Sequence, residues 1–234
     1  PLDNEGVFSN DGSLLLPTHA LDNVYFVLTL PTIERRPYAH PYSGYATVVA
    51  VDEGTTEVEV IPSAEIRAGL RQQAYEARVP HRFSLQQGET LNLESAGRGD
   101  LTGTRIEAVG GNARIAVYVG HESTLISDRE RQGANDPLCC GDHVEEQLFP
   151  VSTWGDRFAV ARTSPRMDAG RAGGIAPDRI RVLASRGETR VTFDPAPVSG
   201  QCHALVAGDY CDVYIQEDTE ITADQPILVG HMLL

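Results

Sequence analysis

Cys139-Cys-Gly-Asp-His-Val-Glu-Glu-Gln-Leu-Phe-Pro-Val-Ser-Thr-Trp-Gly155 lies just past the midpoint of the 234-residue chain and holds two of its four cysteines and its one tryptophan. Read locally, Asp142 sits where a carboxylate can accept first-turn N–H groups, and Glu145 three residues on completes a capping-box pattern. Pro150 stops such a helix, and Val151-Ser-Thr-Trp-Gly155 starts an extended segment. The expectation is a short helical hinge over 139–155, with Cys140, Asp142, His143, Glu146 and Trp154 as its structural residues. The fold reading then turns on the flanks of this hinge, which follow one plan twice.

On the N-terminal side, residues 1–20 form a polar arm with one apolar patch, Leu14-Leu-Leu16, suited to an edge strand. From Val24 the pattern is β: Val24–Leu30 is a near-continuous apolar run of strand length. Tyr45–Val51, the turn at Asp52-Glu-Gly54 and Glu57–Ile61 read as a hairpin, with Val58 and Val60 alternating against Glu57 and Glu59. Pro62–Ala77 lacks that alternation and reads as one loose helix or helical loop. Strands resume at Arg82–Gln86, Thr90–Glu94, Thr104–Val109 and Arg114–Val119, with Gly-rich turns between them. The C-terminal side repeats this order. Phe158-Ala-Val-Ala matches Phe26-Val-Leu-Thr, and Ile180–Ala184 matches Thr47–Val51. Arg190–Phe193 matches Glu57–Val60, Leu205-Val-Ala-Gly208-Asp matches Leu85-Gln-Gln-Gly88-Glu, and Ile227-Leu-Val-Gly-His231 matches Val117-Tyr-Val-Gly-His121. The predicted class is all-β: two tandem antiparallel sandwiches of jelly-roll or Ig-like type, over 21–138 and 156–234, related by internal repeat.

Charge and composition exclude several functions. The net charge is −14 and every basic residue is arginine. Such a surface repels phosphates, so nucleic acid and anionic membrane are not expected partners. No apolar run approaches the roughly 18–20 residues that span a bilayer. The chain starts without methionine and stops on an apolar strand, as a piece of a longer protein would. No Cys-x-x-Cys pair exists, which weakens zinc-ribbon and thioredoxin readings. Cys202 and Cys211 flank a turn and can meet across it. That disulfide implies an oxidising location and leaves Cys139 and Cys140 without an assigned pairing.

Cys140-x-x-His143 with His121 and Glu146 has the donor types of a zinc site, but a hydrogen-bonded hinge accounts for them, and no metal or cofactor is expected. Ser152 and Thr153 near His143 lack the glycine-flanked elbow of a hydrolase, so no enzyme is expected. His121 and His231 end matching strands, which favours a structural role for both. Arg98-Gly99-Asp100 spells an integrin-type tripeptide in a glycine-flanked loop. Asp52-Glu53 and Glu217-Asp218 lack the alternating oxygens of a calcium loop. The Arg35, Arg36, Tyr38, Tyr42, Tyr45 loop has the Tyr/Arg make-up enriched at protein interfaces and is the expected binding region.

The central block also resembles the IgGFc-binding protein N-terminal family, found in mucus-associated animal proteins and bacterial surface proteins. The matching residues are Cys140, Asp142-His143, Glu146-Gln-Leu148 and Pro150-Val-Ser-Thr-Trp-Gly155; Gly141, Glu145 and Phe149 depart from the pattern. Asp100-Leu-Thr-Gly-Thr104-x-Ile106 and Ile221-Thr-Ala-Asp-x-Pro226-Ile-Leu-Val229 are similar to the same family, so the resemblance covers roughly residues 21–234. It implies an extracellular β module for adhesion, or for binding a protein or glycan, within a larger surface protein. Asp100 then belongs to the family block, which explains it structurally. The alternative is a structural subunit of a surface layer or filament. In it Leu14–Leu16 or Ile227–Leu234 would complete the sheet of a neighbouring domain or of a copy of the same chain.

Overall fold

A computed structural model describes residues 11–33, 41–69, 72–110, 113–124, 142–164 and 175–232. The described residues are all-β, with no α-helix, and they fall into two compact units, one running to Ser152 and the other starting at Thr153.

The first unit contains β1 (Val24–Phe26), β2 (Gly44–Ala50), β3 (Thr55–Ile61), β4 (His81–Gln86), β5 (Thr90–Glu94), β6 (Arg105–Val109), β7 (Ile115–Thr124) and β8 (Asp142–Gln147). They form two antiparallel sheets, in the orders β1-β6-β3-β4 and β5-β2-β7-β8. The period-two alternation does what it promised: Val58 and Val60 are buried, whereas Glu57 is exposed and Glu59 half-buried. Ala46, Val48, Ala50, Leu91, Leu93, Ile115 and Val117 bury the matching face of the other sheet. Tyr25 ties the two sheets, its hydroxyl donating from β1 to the Ile115 carbonyl of β7 at 2.9 Å. Burial there pushes the phenol pKa up to about 12.

The expected hairpins are not hairpins. β2 and β3, joined across the Asp52–Gly54 turn, lie in different sheets, and so do β4 and β5, and β6 and β7. Each short turn is an arch between sheets, and ladder partners come from afar: β2 pairs β7, and β3 pairs β6.

The expected helix over Asp142–Gln147 is the strand β8, which lies along the outer edge of β7, with Gly120 opposite Glu145 and His121 opposite Val144. One turn of helix satisfies few backbone groups and needs a costly nucleus. The open edge of β7 offers a full row of partners, and the local capping signal loses to it. The real turn is a single 3-10 turn at Val151–Thr153, after Pro150, with Trp154 buried behind it. The described residues of 62–77 are not helical either. Ile66 is buried and its backbone pairs with Tyr75 and Ser95, so the segment is a folded-back excursion held by one apolar plug. Leu14–Leu16 forms no strand, although residues 11–16 lie along β8. Glu145 N–H donates to the Asp11 carboxylate, Gln147 N–H to Ser13 Oγ at 2.6 Å, and Leu16 N–H to Gln147 Oε1 at 2.6 Å.

The second unit contains β9 (Gly155–Val160), β10 (Asp178–Ala184), β11 (Val191–Asp194), β12 (Ser199–Gly200), β13 (Tyr210–Ile215) and the long β14 (Thr219–Met232). The first part of β14 runs between β9 and β11, and after an irregularity past Thr222 its second part pairs β10, which pairs β13. The core is Ile180, Val182, Ala184, Val213, Ile215, Ile221 and Ile227, with Val160, Leu205 and Cys211. Cys211 is bonded to Cys202, Cα to Cα 5.3 Å, as the turn between them allows.

Several details recur in the two units. Ala50 N–H donates to the Glu89 carbonyl and the Ala50 carbonyl accepts from Gly88 N–H; Ala184 makes the same pair of bonds with Asp209 and Gly208. Both glycines have the left-handed φ that this tight turn demands, 79° and 86°. Val48 lies opposite Leu91 and Val117, and Val182 opposite Cys211 and Val229. By this register His231 falls where Val119 lies, not where His121 does, so the two histidines are not equivalent.

Candidate functional site

One concavity belongs to the first unit and is built by the excursion around Ile66, where the sequence pattern predicts a helix. β4 and β5 are the edge strands of their two sheets, and between them the unit would stand open. Ile66 plugs that opening. Arg67 N–H donates to the Glu94 carbonyl at 3.0 Å and Ala96 N–H to Glu65 at 2.8 Å, which fixes the excursion to the end of β5. A groove of about 900 Å3 remains, lined by Arg67–Gly69, Gln72, Tyr75, Phe83 and Thr90–Asn92 with Glu94. The Tyr75 ring meets Phe83 edge-on at 5.3 Å and leans on His81 at 4.5 Å, forming a small aromatic wall. The facing wall is polar and fixed. Asn92 accepts from the Thr47 hydroxyl at 2.8 Å and donates to Glu94 at 3.0 Å, and Glu94 is paired with Arg67. An aromatic wall facing oriented amide and charged groups can hold a ligand with one apolar face and several polar edges. Nothing in the arrangement pairs a nucleophile with a base.

Of the expected binding loop, Arg35, Arg36 and Tyr38 lie outside the described residues, as do Cys139 and Cys140. Tyr42 pairs its backbone with Ile33. Tyr45 belongs to β2 rather than to the loop. Its ring stacks on His143 at 6.2 Å and its hydroxyl donates to Glu145 at 3.2 Å. Burial, and then the Glu145 charge, raise its pKa well above the usual phenol value. The ring also covers Gly120, where a Cβ would come within 2.5 Å of the tyrosine oxygen. Tyr45, His143 and Glu145 thus form a polar patch across β2 and β8.

The remaining motifs take up structural positions. His121 is fully buried, with Nε2 2.9 Å from the Pro31 carbonyl and Nδ1 accepting from Ser123 N–H at 3.2 Å. Burial, the largest effect, pulls its pKa down to about 4, and a neutral imidazole with both nitrogens engaged offers no metal a lone pair. Among the described residues no group of three or more His, Cys, Asp or Glu is placed to hold a metal. The Asp100 carboxylate accepts from Thr102 N–H and Oγ1 at 2.9 and 2.6 Å, so it braces its own turn. Asp52 is held by Arg114, whose hydrogen bonds draw the carboxyl below its ordinary range. Asp218 accepts from Arg162 N–H at 2.8 Å. Glu146 accepts from Ser13 at 3.0 Å, and Ser152 and Thr153 sit exposed on the 3-10 turn.

The second unit carries a cluster that the sequence reading missed. Arg181, 1% exposed, and Arg179 both bond Asp212, at 2.8 and 2.7 Å, and the Arg181 guanidinium lies 4.1 Å from the Tyr210 ring centre. Burial by itself would raise Asp212; the hydrogen bonds from Arg181 and Arg179 outweigh it and hold the carboxyl below its ordinary range. Asp178, also fully buried, accepts from Thr163 N–H and Oγ1 and lies 3.0 Å from His231 Nε2. Alternating Arg179-x-Arg181 opposite Asp212-x-Tyr214 was the available signal.

No described helix is long and apolar enough to cross a membrane. No solved structure matches the chain. It is 26% identical over 204 residues to the human IgGFc-binding protein, which covers 87% of this chain and 3% of that relative. The family model described as IgGFc binding protein matches residues 11–234. The family suggested by the central block, the Asp100 block and the closing strand is therefore the one found, and the chain belongs to the IgGFc binding protein family.

Proposed function

We propose that this chain is a non-enzymatic, extracellular binding module, part of a larger surface protein, built from two copies of one β-sandwich unit that follow one another in sequence, the second beginning after the Val151–Thr153 turn. The matching ladders and the paired Ala50 and Ala184 turns support the duplication. The Cys202–Cys211 disulfide supports an oxidising location. Family membership supports binding rather than catalysis. The observation that carries the reading is the groove beside β5: an anchored excursion, without a counterpart among the described residues of the second unit, holds Tyr75 against Phe83 over a fixed polar row. Its ligand is a protein or glycan met outside the cell, and since the human relative is named for the immunoglobulin Fc, Fc is the first protein to try.

The test is binding of the purified chain to Fc and to a panel of immobilised glycans, with Tyr75→Ala and Asn92→Ala as variants. Affinity for whichever ligand is captured should fall tenfold or more in both, at unchanged circular dichroism. Unchanged affinity in the folded variants would remove the groove from consideration.

A further inference from the structure

We infer that the outer edge of β14 is a strand-addition site, and that its occupant is the segment Asp11–Leu16 of a second copy of this chain. The inference concerns a different surface from the groove and rests on the correspondence of the two units.

The edge is open by geometry. Both backbone groups of Ala184 are bonded toward β13, so those of Ile227, which lies opposite, also point away from β10. Alternation gives Val229 and His231 the same outward direction. Gly155 lies opposite Ile227 on that side, and beyond it no described strand pairs the edge. The equivalent edge of β7 is filled by β8, where Leu148 N–H donates to the Val117 carbonyl at 2.8 Å and Leu148 is buried.

The molecule also shows what precedes each unit. Pro150, the turn Val151–Thr153, buried Trp154 and Gly155 opposite Ile227 correspond to Pro17, the turn Thr18–Ala20, buried Leu21 and Asp22 opposite Ile115. Counted back from those prolines, Leu148 corresponds to Leu15 and Glu145 to Gly12. β8 is thus the lead-in of the second unit, laid on the last strand of the first. Residues 11–16 are the lead-in of the first unit, and β14 is the last strand of the second. Leu15, whose counterpart is buried, stands 68% exposed, and Leu14 is 73% exposed. Leu16 N–H points at Gln147, so in extended chain Leu15 N–H points the other way, free for a ladder. In the β8 register, Leu15 N–H meets the Val229 carbonyl and Gly12 lies opposite Met232. Copies joined in this way meet head to tail, through two different surfaces of the chain.

Sedimentation of the chain up to about 100 µM, where micromolar affinity populates complexes, reads the contact directly. The wild type should form concentration-dependent oligomers and Leu15→Asp, at an exposed site that leaves the fold intact, should be monomeric. A Gly12→Cys chain mixed with a Met232→Cys chain under oxidation should give a crosslinked heterodimer beyond that of either variant, or the wild type, alone. A wild type that stays monomeric throughout, oligomers that survive Leu15→Asp, or a mixture without added crosslink would each overturn the inference. None of these readouts depends on Fc or glycan binding.

Discussion

In the first unit, the end of β7 opposite Gly44 is held by His121, buried and uncharged, with its two nitrogens given to the backbone. In the second unit, β10 carries Arg179 and Arg181 into a buried pairing with Asp212. The two units therefore accommodate buried polar groups in two ways. A lone polar side chain is kept neutral, or charges are buried together as a paired set. The units should accordingly fail in different ways.

The largest effect should come from breaking the charged set. Asp212→Ala leaves Arg181 buried without its carboxylate and should lower the stability of the second unit by about 3–5 kcal/mol. Chemical denaturation followed by hydrogen exchange on β10 should locate the loss there, with β2 protected as before.

The next effect is a pH dependence peculiar to the first unit. The folded-state pKa of His121 is about 4, below the ordinary imidazole value of 6.5, so the unfolded chain binds the proton more readily. The contribution is fully present above pH 6.5 and is lost as pH falls toward 4, amounting to about 3 kcal/mol. His121→Asn should be less stable at pH 7 and should flatten this slope. A slope unchanged by the substitution would assign the acid sensitivity to other groups. The second unit adds the titration of Asp212, whose lowered pKa places its loss of stability at more acid pH.

The smallest effect should follow reduction of Cys202–Cys211. The bridge closes a short loop, nine residues in separation, and its removal should cost the second unit about 2–3 kcal/mol by restoring freedom to the unfolded chain. Melting with and without reductant measures it, and Cys202→Ser/Cys211→Ser should reproduce the reduced value.

Much of the local structure was legible. Val58-x-Val60 between glutamates gives a half-buried strand in any sandwich, and Gly88 and Gly208 mark turns whose backbone only glycine enters easily. The disulfide was legible because a turn separates its cysteines. Strand partnership was not, because a short polar turn serves an arch as well as a hairpin, and β2 and β3 part company after just such a turn. Asp142–Gln147 looked helical because its caps are local, whereas the β7 edge that claims it belongs to residues 118–121. The groove was missed for a related reason: Ile66 and Tyr75 make sense only as a plug and a wall between two sheet edges, which no local pattern encodes. Matching Gly-His endings suggested that His121 and His231 were equivalent. A slip of two residues between ladders leaves each sequence pattern intact and changes what each histidine faces.

The sequence by itself determined that the chain is predominantly β, where most of its strands alternate and turn, which family it belongs to and which two cysteines can meet. These follow from side-chain size, polarity and backbone freedom, properties carried by each residue alone. Only the tertiary structure decided which sheet each strand joins, which edge β8 closes and which stays open, and which arginine is buried. Backbone hydrogen-bonding groups are the same at every residue, so the choice of partner is made by distant packing.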